Sequence, residues 1–369
     1  QSVGLSVTAE AVRSTDDRGD AHTDYGLSRT SLVRTNVQNL ASRELGRFGG
    51  TLGAQVYGLT GLGDVTSLSV FSSHDFAEQQ TVQLAHDFLV GGDGLKLGGQ
   101  VTLGWAHPTL DLPGFDVKAE TLFSTLRASY PLVRTQQQTI NLASGLDVVN
   151  QDVRANALLL SRDHVRVAWL RVDGSQTDPD SLARRSGFSP YEPRYRFSYG
   201  MELRQGLSIL GANPDCRTSA LACTAGNRVP SRIEQDPTAM LLRVDLAAEF
   251  RPVPAFTIAM GAAAQGTGDA LPAFEEMTGG SFSIGRGYDP GAITGDRGVS
   301  GSLEFRLGSL IPRGPEAWAM QPFVFVDAAQ VKDIDPSQRA FNPDSLVSAG
   351  GGLRFAWARG MQGDLSLAV

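Results

Sequence analysis

Apolar and polar residues alternate along most of this chain. Between Val299 and Leu307, the odd positions Val299, Gly301, Leu303, Phe305 and Leu307 form one face, and Ser300, Ser302, Glu304 and Arg306 form the other. A period of two is the mark of a β-strand. The same pattern sets Tyr195, Phe197, Tyr199, Met201 and Leu203 against Arg194, Arg196, Ser198, Gly200, Glu202 and Arg204. It recurs where Leu242, Val244, Leu246, Ala248 and Phe250 oppose Arg243, Asp245, Ala247 and Glu249. Strands are predicted near 27–40, 48–59, 65–73, 79–88, 95–107, 116–130, 137–150, 158–172, 194–210, 236–250, 254–267, 298–309, 320–331, 346–357 and 361–369, with an earlier apolar stretch from Val3 to Val12.

Strand length separates two all-β readings. A soluble sandwich uses strands of about five or six residues, whereas a membrane strand needs roughly nine to eleven. Several runs here exceed ten residues, their polar faces mix Arg, Glu, Ser and Gly as a wet lumen would, and helical periodicity is almost absent. The sequence therefore predicts a transmembrane antiparallel β-barrel of the bacterial outer membrane. Tight hairpins such as Gly91-Gly92-Asp93-Gly94 fit its short turns. Four long connections, 173–193, 211–237, 268–297 and 332–344, are expected together at the extracellular end.

Composition sharpens this picture. With Gly 42 and 19% charged residues, the chain suits many turns and small lumen positions. It has no apolar run of about 18 residues, which excludes a helical membrane protein. A net charge of −7 argues against nucleic acid as a partner. Little chemistry stands out otherwise. His22, His74, His86, His107 and His164 lack metal-ligand spacing. Ser281-x-Ser283-x-Gly285 lacks the first glycine of a nucleophile elbow. No catalytic residue, metal or cofactor is expected. Cys216 and Cys223 share one long connection and are expected to form a local disulfide.

One segment is too polar to face lipid and too constrained for an ordinary loop: Ser283-Ile284-Gly285-Arg286-Gly287-Tyr288, followed by Gly295-Asp296-Arg297-Gly298. An arginine between glycines offers a rigid fork of donors to a carboxylate. This segment resembles the Val-Arg-Gly-Phe/Tyr loop of the two-partner-secretion transporters of the hemolysin-activator and hemagglutinin-secretion type, relatives of the barrel-assembly insertases. Gln321-Pro322-Phe323-Val324-Phe325-Val326-Asp327 is similar to that family's Phe-x-Asp strand, and Gly61-Leu62-Gly63-Asp64 to one of its turns. The first motif position departs from the family, with Gly285 where a β-branched residue is usual.

The resemblance implies sixteen strands in the full protein, with the arginine loop folded into the lumen. About fifteen fall in this chain, so residues 25–369 are expected to form the barrel with its last strand missing. Residues 1–24 are expected to be a linker or the remnant of a periplasmic POTRA-like region. By alternation, Asp327 shares a face with Phe323 and Phe325, while Glu304 lies on the polar face of the neighbouring strand. Arg286 is thus expected to dock on Asp327 first and Glu304 second. The implied function is export of an unfolded partner exoprotein without nucleotide hydrolysis, by a monomer in contact with outer-membrane lipid and lipopolysaccharide. An assembly insertase of the same superfamily and a passive pore are the alternatives.

Overall fold

A strand with one apolar and one polar face is stable in a bilayer only when every backbone group is paired and no edge is left open. The computed structural model meets that condition by closure. It describes residues 2–14, 30–110, 114–184, 187–217, 223–224, 228–280, 284–314, 316–335, 344–358 and 360–369. The first half of the wall consists of β1 (Ser2–Ser14), β2 (Thr30–Gln38), β3 (Gly49–Tyr57), β4 (Val65–Ser73), β5 (Gln79–Val90), β6 (Leu95–Ala106), β7 (Val117–Arg134) and β8 (Gln138–Ala155). After these come β9 (Leu158–Thr177), β10 (Tyr195–Gly206), β11 (Met240–Val253) and β12 (Phe256–Thr267). Two short strands, β13 (Met277–Gly279) and β14 (Ile293–Gly295), pair within the next connection. The wall resumes with β15 (Arg297–Leu307), β16 (Trp318–Lys332), β17 (Ser345–Trp357) and β18 (Met361–Ala368). Neighbours pair antiparallel in sequence order, β12 pairs with β15, and β18 pairs with β1 to close a sixteen-strand barrel.

Side chains follow the predicted alternation. In β16 every second residue is buried: Phe323, Phe325 and Asp327 point inward, while Met320, Val324 and Val326 point out. Aromatic residues gather on the outer surface at one end, where Trp318 stacks on Trp357 at 5.5 Å and Phe256 on Phe305 at 6.1 Å. Such a girdle marks the membrane–water interface.

Two expectations are corrected. Within residues 1–24, Ser2–Ser14 form not a linker or periplasmic remnant but strand β1, paired with β2 and β18. The closing strand thus comes from the start of this chain, where a missing C-terminal strand was expected; residues 15–24 lie outside the described residues. Nor do the four long connections share one end. In an antiparallel barrel, consecutive connections must alternate ends. The β9–β10 connection therefore lies at the girdle end, opposite the β10–β11, β12–β15 and β16–β17 connections.

The hairpin β8–β9 is unusually tall. Gly206, the last residue of β10, pairs with Val167, so nine residues of β9, 158–166, continue past it. Two outward-facing residues of that extension, Arg162 and Asp152, form a two-point ion pair at 2.8 and 2.6 Å. The β10–β11 connection leans on it: Arg162 N–H donates to the Val229 carbonyl at 2.7 Å, and Ser231 N–H donates to Asp163 at 2.9 Å.

Candidate functional site

The β12–β15 connection folds into the barrel, and three arginine centres hold it. Its tip bears Arg286. There the backbone N–H and Nε of Arg286 donate to Asp327 Oδ2 at 3.1 and 2.9 Å, and Nη2 donates to Oδ1 at 2.8 Å. Nη1 donates to Glu304 Oε2 at 2.5 Å. The guanidinium lies over the Phe325 ring, 3.5 Å from its centre. The carboxylate of Asp327 is 0% exposed, and Arg286 supplies every side-chain hydrogen bond found for it among the described residues. The structure thus brings Arg286 together with both residues named from the sequence, Asp327 and Glu304.

Glu304 has further partners. Arg306 and Arg354 also donate to it, and Arg354 lies over Phe323 at 4.3 Å and bonds Asp364 at 2.8 Å. Gly285 takes φ +81°, and a Cβ there would fall 2.7 Å from a Leu346 methyl. That accounts for the departure at the first motif position, where a β-branched residue would be strained and crowded. Gly287 follows with φ +100°. The Tyr288 hydroxyl donates to the Val347 carbonyl at 3.2 Å. Behind the tip, Ile293 packs with Ala329, Val331 and Leu346 in a small apolar cluster.

The loop's stem is held with the opposite polarity. Here the wall supplies the cation: Arg204 of β10 donates through Nε and Nη2 to Glu275 at 2.7 and 2.8 Å. Arg204 also reaches Asp147 at 2.8 Å and Glu202 at 2.7 Å.

The third centre is Arg232, on the β10–β11 connection. It bonds Glu276 at 2.6 Å and Asp296 at 2.7 Å, and lies 2.9 Å from Glu234 and 3.6 Å from Asp333. Asp296, 0% exposed, also accepts from the backbone N–H groups of Leu271 at 2.8 Å and Ile334 at 2.7 Å. One motif aspartate therefore ties three connections together. Glu276, Asp296 and Asp333 lie close enough to share a cation, and Arg232 provides the positive charge they face. Burial pushes the Glu276 carboxyl up to about 7, with Asp296, Asp333 and Glu234 adding to the rise and Arg232 opposing it.

The other predicted residues fall as follows. Gly295 ends β14 and Gly298 lies in β15, where a Cβ would strike the Gln330 carbonyl at 2.4 Å. Cys216 and Cys223 are joined in a disulfide in the β10–β11 connection. Asp64, in the Gly61–Asp64 turn, accepts from the backbone and hydroxyl of Thr60 at 3.0 and 2.7 Å. Ser281 and Ser283 lie outside the described residues.

Sequence reasoning missed Arg204, Arg232, Glu275, Glu276 and Arg354. The inward parity of Arg204 and Arg354 was a usable signal, because a charge on the lumen face of a strand needs a partner there.

The chain matches the family described as Haemolysin secretion/activation protein ShlB/FhaC/HecB over residues 28–355. It belongs to that family. The family is one of outer-membrane secretion proteins and not of enzymes. Among solved structures, CdiB from Escherichia coli is similar with a TM-score of 0.71 at 14% identity, over 100% of this chain and 63% of that one. CdiB from Acinetobacter baumannii gives 0.57 at 14% identity, over 100% and 60%. BamA from Haemophilus ducreyi, lacking POTRA domains 1–3, gives 0.55 at 13% identity, over 100% and 70%. At these identities the likeness concerns the fold. No curated protein matches the chain in sequence.

Proposed function

We propose that this barrel exports a large partner exoprotein of the hemolysin or adhesin type, unfolded, through its lumen and without nucleotide hydrolysis. The observation that carries the reading is the clasp of Arg286 on Asp327 and Glu304, which holds the tip of a long loop inside the barrel. A permanently open pore has no need of such a plug, whereas a conduit for an occasional large cargo needs one that can be displaced. Membership of a secretion family supports the same reading. The end bearing three long connections then faces outward. The apolar outer band meets lipid and, in the outer leaflet, lipopolysaccharide, and the barrel works as a monomer.

The test is export of the co-produced exoprotein by cells carrying the full-length protein, wild type against Arg286→Ala and Asp327→Ala. Both substitutions are expected to abolish export while the barrel still assembles, seen as a heat-modifiable band on a gel. Unimpaired export would mean that the clasp marks only the fold, and an outer-membrane assembly role would then become the better reading.

A further inference from the structure

The lumen wall has two chemically different halves. From β8 round to β18, the inner face carries charged side chains that are committed to one another, set among uncharged positions such as Thr257, Ala259 and Gly261 of β12. Arg171 bonds Asp173 and Asp245, each at 2.7 Å, Arg204 binds three carboxylates, and Glu304 binds three arginines. From β3 to β6, the inward positions are mostly Gly, Ser, Thr and Gln, with Tyr57, Val65, Phe71, Ala85, Leu89 and Ala106 among them. The charged side chains on the inward face of these four strands, Asp87 and Lys96, sit at the girdle end, where Arg127 bonds Asp87 at 2.7 Å.

Free space follows this second half. A cavity of about 480 Å³ lies against Thr51, Ser69, Thr81 and Gln83, with Pro290 of the folded-in loop also in its lining. A second, of about 200 Å³, shares Thr51, Ser69 and Gln83 with it and extends past Gln55, so the two form one path along the wall. Arg34, which lines the second cavity from the neighbouring strand β2, is paired with Glu10 at 3.0 Å, and Arg47 with Asp289 at 3.6 Å. The wall is also flat where it has room to spare. A Cβ on Gly53 or on Gly104 would meet nothing closer than 3.8 Å and 3.9 Å respectively.

We propose that this uncharged wall, β3 to β6, is the contact surface for an extended polypeptide in transit. The proposal rests on the transporter reading above and adds the side of the barrel on which the cargo travels. An unfolded chain presents one donor and one acceptor per residue, with charged side chains of either sign. Amides and hydroxyls exchange hydrogen bonds with peptide groups or water at nearly equal free energy, so each contact is weak and independent of sequence. A wall of unpaired charges would instead hold opposite charges through bonds roughly twice as strong, and would stall a chain of mixed composition. The loop opposite, clasped to the charged half, leaves this side open.

The described cysteines are both in the disulfide, so an introduced cysteine is the reporter. Thr51→Cys, Ser69→Cys and Gln83→Cys on the uncharged wall, and Ser302→Cys and Ala247→Cys on the charged wall, are placed in the full-length protein. Each is combined with an exoprotein stalled by a folded domain at its trailing end and carrying single cysteines. Mixed disulfides are expected at the first three positions and not at the last two. Equal or inverted yields would overturn the proposal while leaving export through the lumen intact.

Single-channel recording of the purified barrel with an unfolded, uncharged Gly/Ser/Asn-rich peptide provides a readout free of any cargo. Gly53→Trp should reduce conductance and peptide entry. Thr51→Glu with Ser69→Glu should lengthen the dwell of a cationic peptide about tenfold, the change expected of one added charge-assisted bond. Dwell times that do not respond to these substitutions would sink the wall assignment even if no exoprotein depends on the barrel.

Discussion

The tip and the stem of the folded-in loop are held by the same chemistry with the charges exchanged, and the exchange decides what each end leaves behind. At the tip the loop brings the arginine. If Arg286 withdraws, Glu304 keeps Arg306 and Arg354, but Asp327 is left buried without a countercharge. At the stem the loop brings the carboxylate. If Glu275 withdraws, Arg204 still has Asp147 and Glu202. Release of the stem therefore returns the wall to a neutralised state, whereas release of the tip exposes an orphan. The tip is the harder end to free. A displaced loop is expected to leave stem first.

The largest test of this asymmetry is Arg286→Ala, which should cost about 3–5 kcal/mol, the usual penalty for removing one member of a buried ion pair. Thermal loss of the compact, heat-modifiable form checks it, and Asp327→Asn should recover part of the loss in the double variant by removing the orphan. Arg286→Lys should behave more like Ala than like wild type, because an ammonium cannot make the fork to Asp327 while also reaching Glu304.

The next effect is pH. Because the folded-state pKa of Glu276 is raised above the ordinary carboxyl value, the unfolded chain gives up that proton first as pH rises. The stabilisation is full below about 4.5 and is lost as pH climbs to about 7, a change on the order of 3 kcal/mol at about 1.4 kcal/mol per unit. Proteolytic sensitivity of the loop should therefore grow between pH 5 and pH 8 (about the span over which the carboxyl ionises), and Glu276→Gln should flatten the profile. An unchanged slope in that variant would place the pH response elsewhere.

Glu275→Gln should cost less, about 1–3 kcal/mol, and should raise the frequency of channel opening without unfolding the barrel. Arg204→Glu with Glu275→Arg tests whether polarity or contact matters. The swapped arginine would lose Asp147 and Glu202 as helpers and leave them beside a third carboxylate, so little rescue is expected. Full rescue would refute the role given to the helpers. Smallest of all, Cys216→Ser with Cys223→Ser should loosen only the β10–β11 connection and leave barrel melting unchanged.

The strands were readable because one wet and one oily face impose a period of two that nothing else in the chain imitates. All fifteen predicted segments correspond to wall strands, β2–β12 and β15–β18. The tip clasp was readable for the same reason: parity placed Asp327 and Glu304 on the lumen face, and the glycines around Arg286 marked a docking loop. Parity could not show which distant charges meet. Arg204 and Glu275 are 71 positions apart, and Glu275 sits in a connection with no period at all. β1 escaped because its closing partner β18 lies at the other end of the chain, and no local pattern signals a pairing of that kind.

The tall β8–β9 hairpin gives this arrangement a lever. Its extension beyond β10 carries a charged outer pair and props the connection that brings Arg232 down onto Asp296 and Glu276. The plug inside the channel is therefore set in part from scaffolding that stands clear of the bilayer. Trimming that hairpin would leave the wall paired and yet unseat the base of the loop. A push or pull on the outer surface has a mechanical route to the gate.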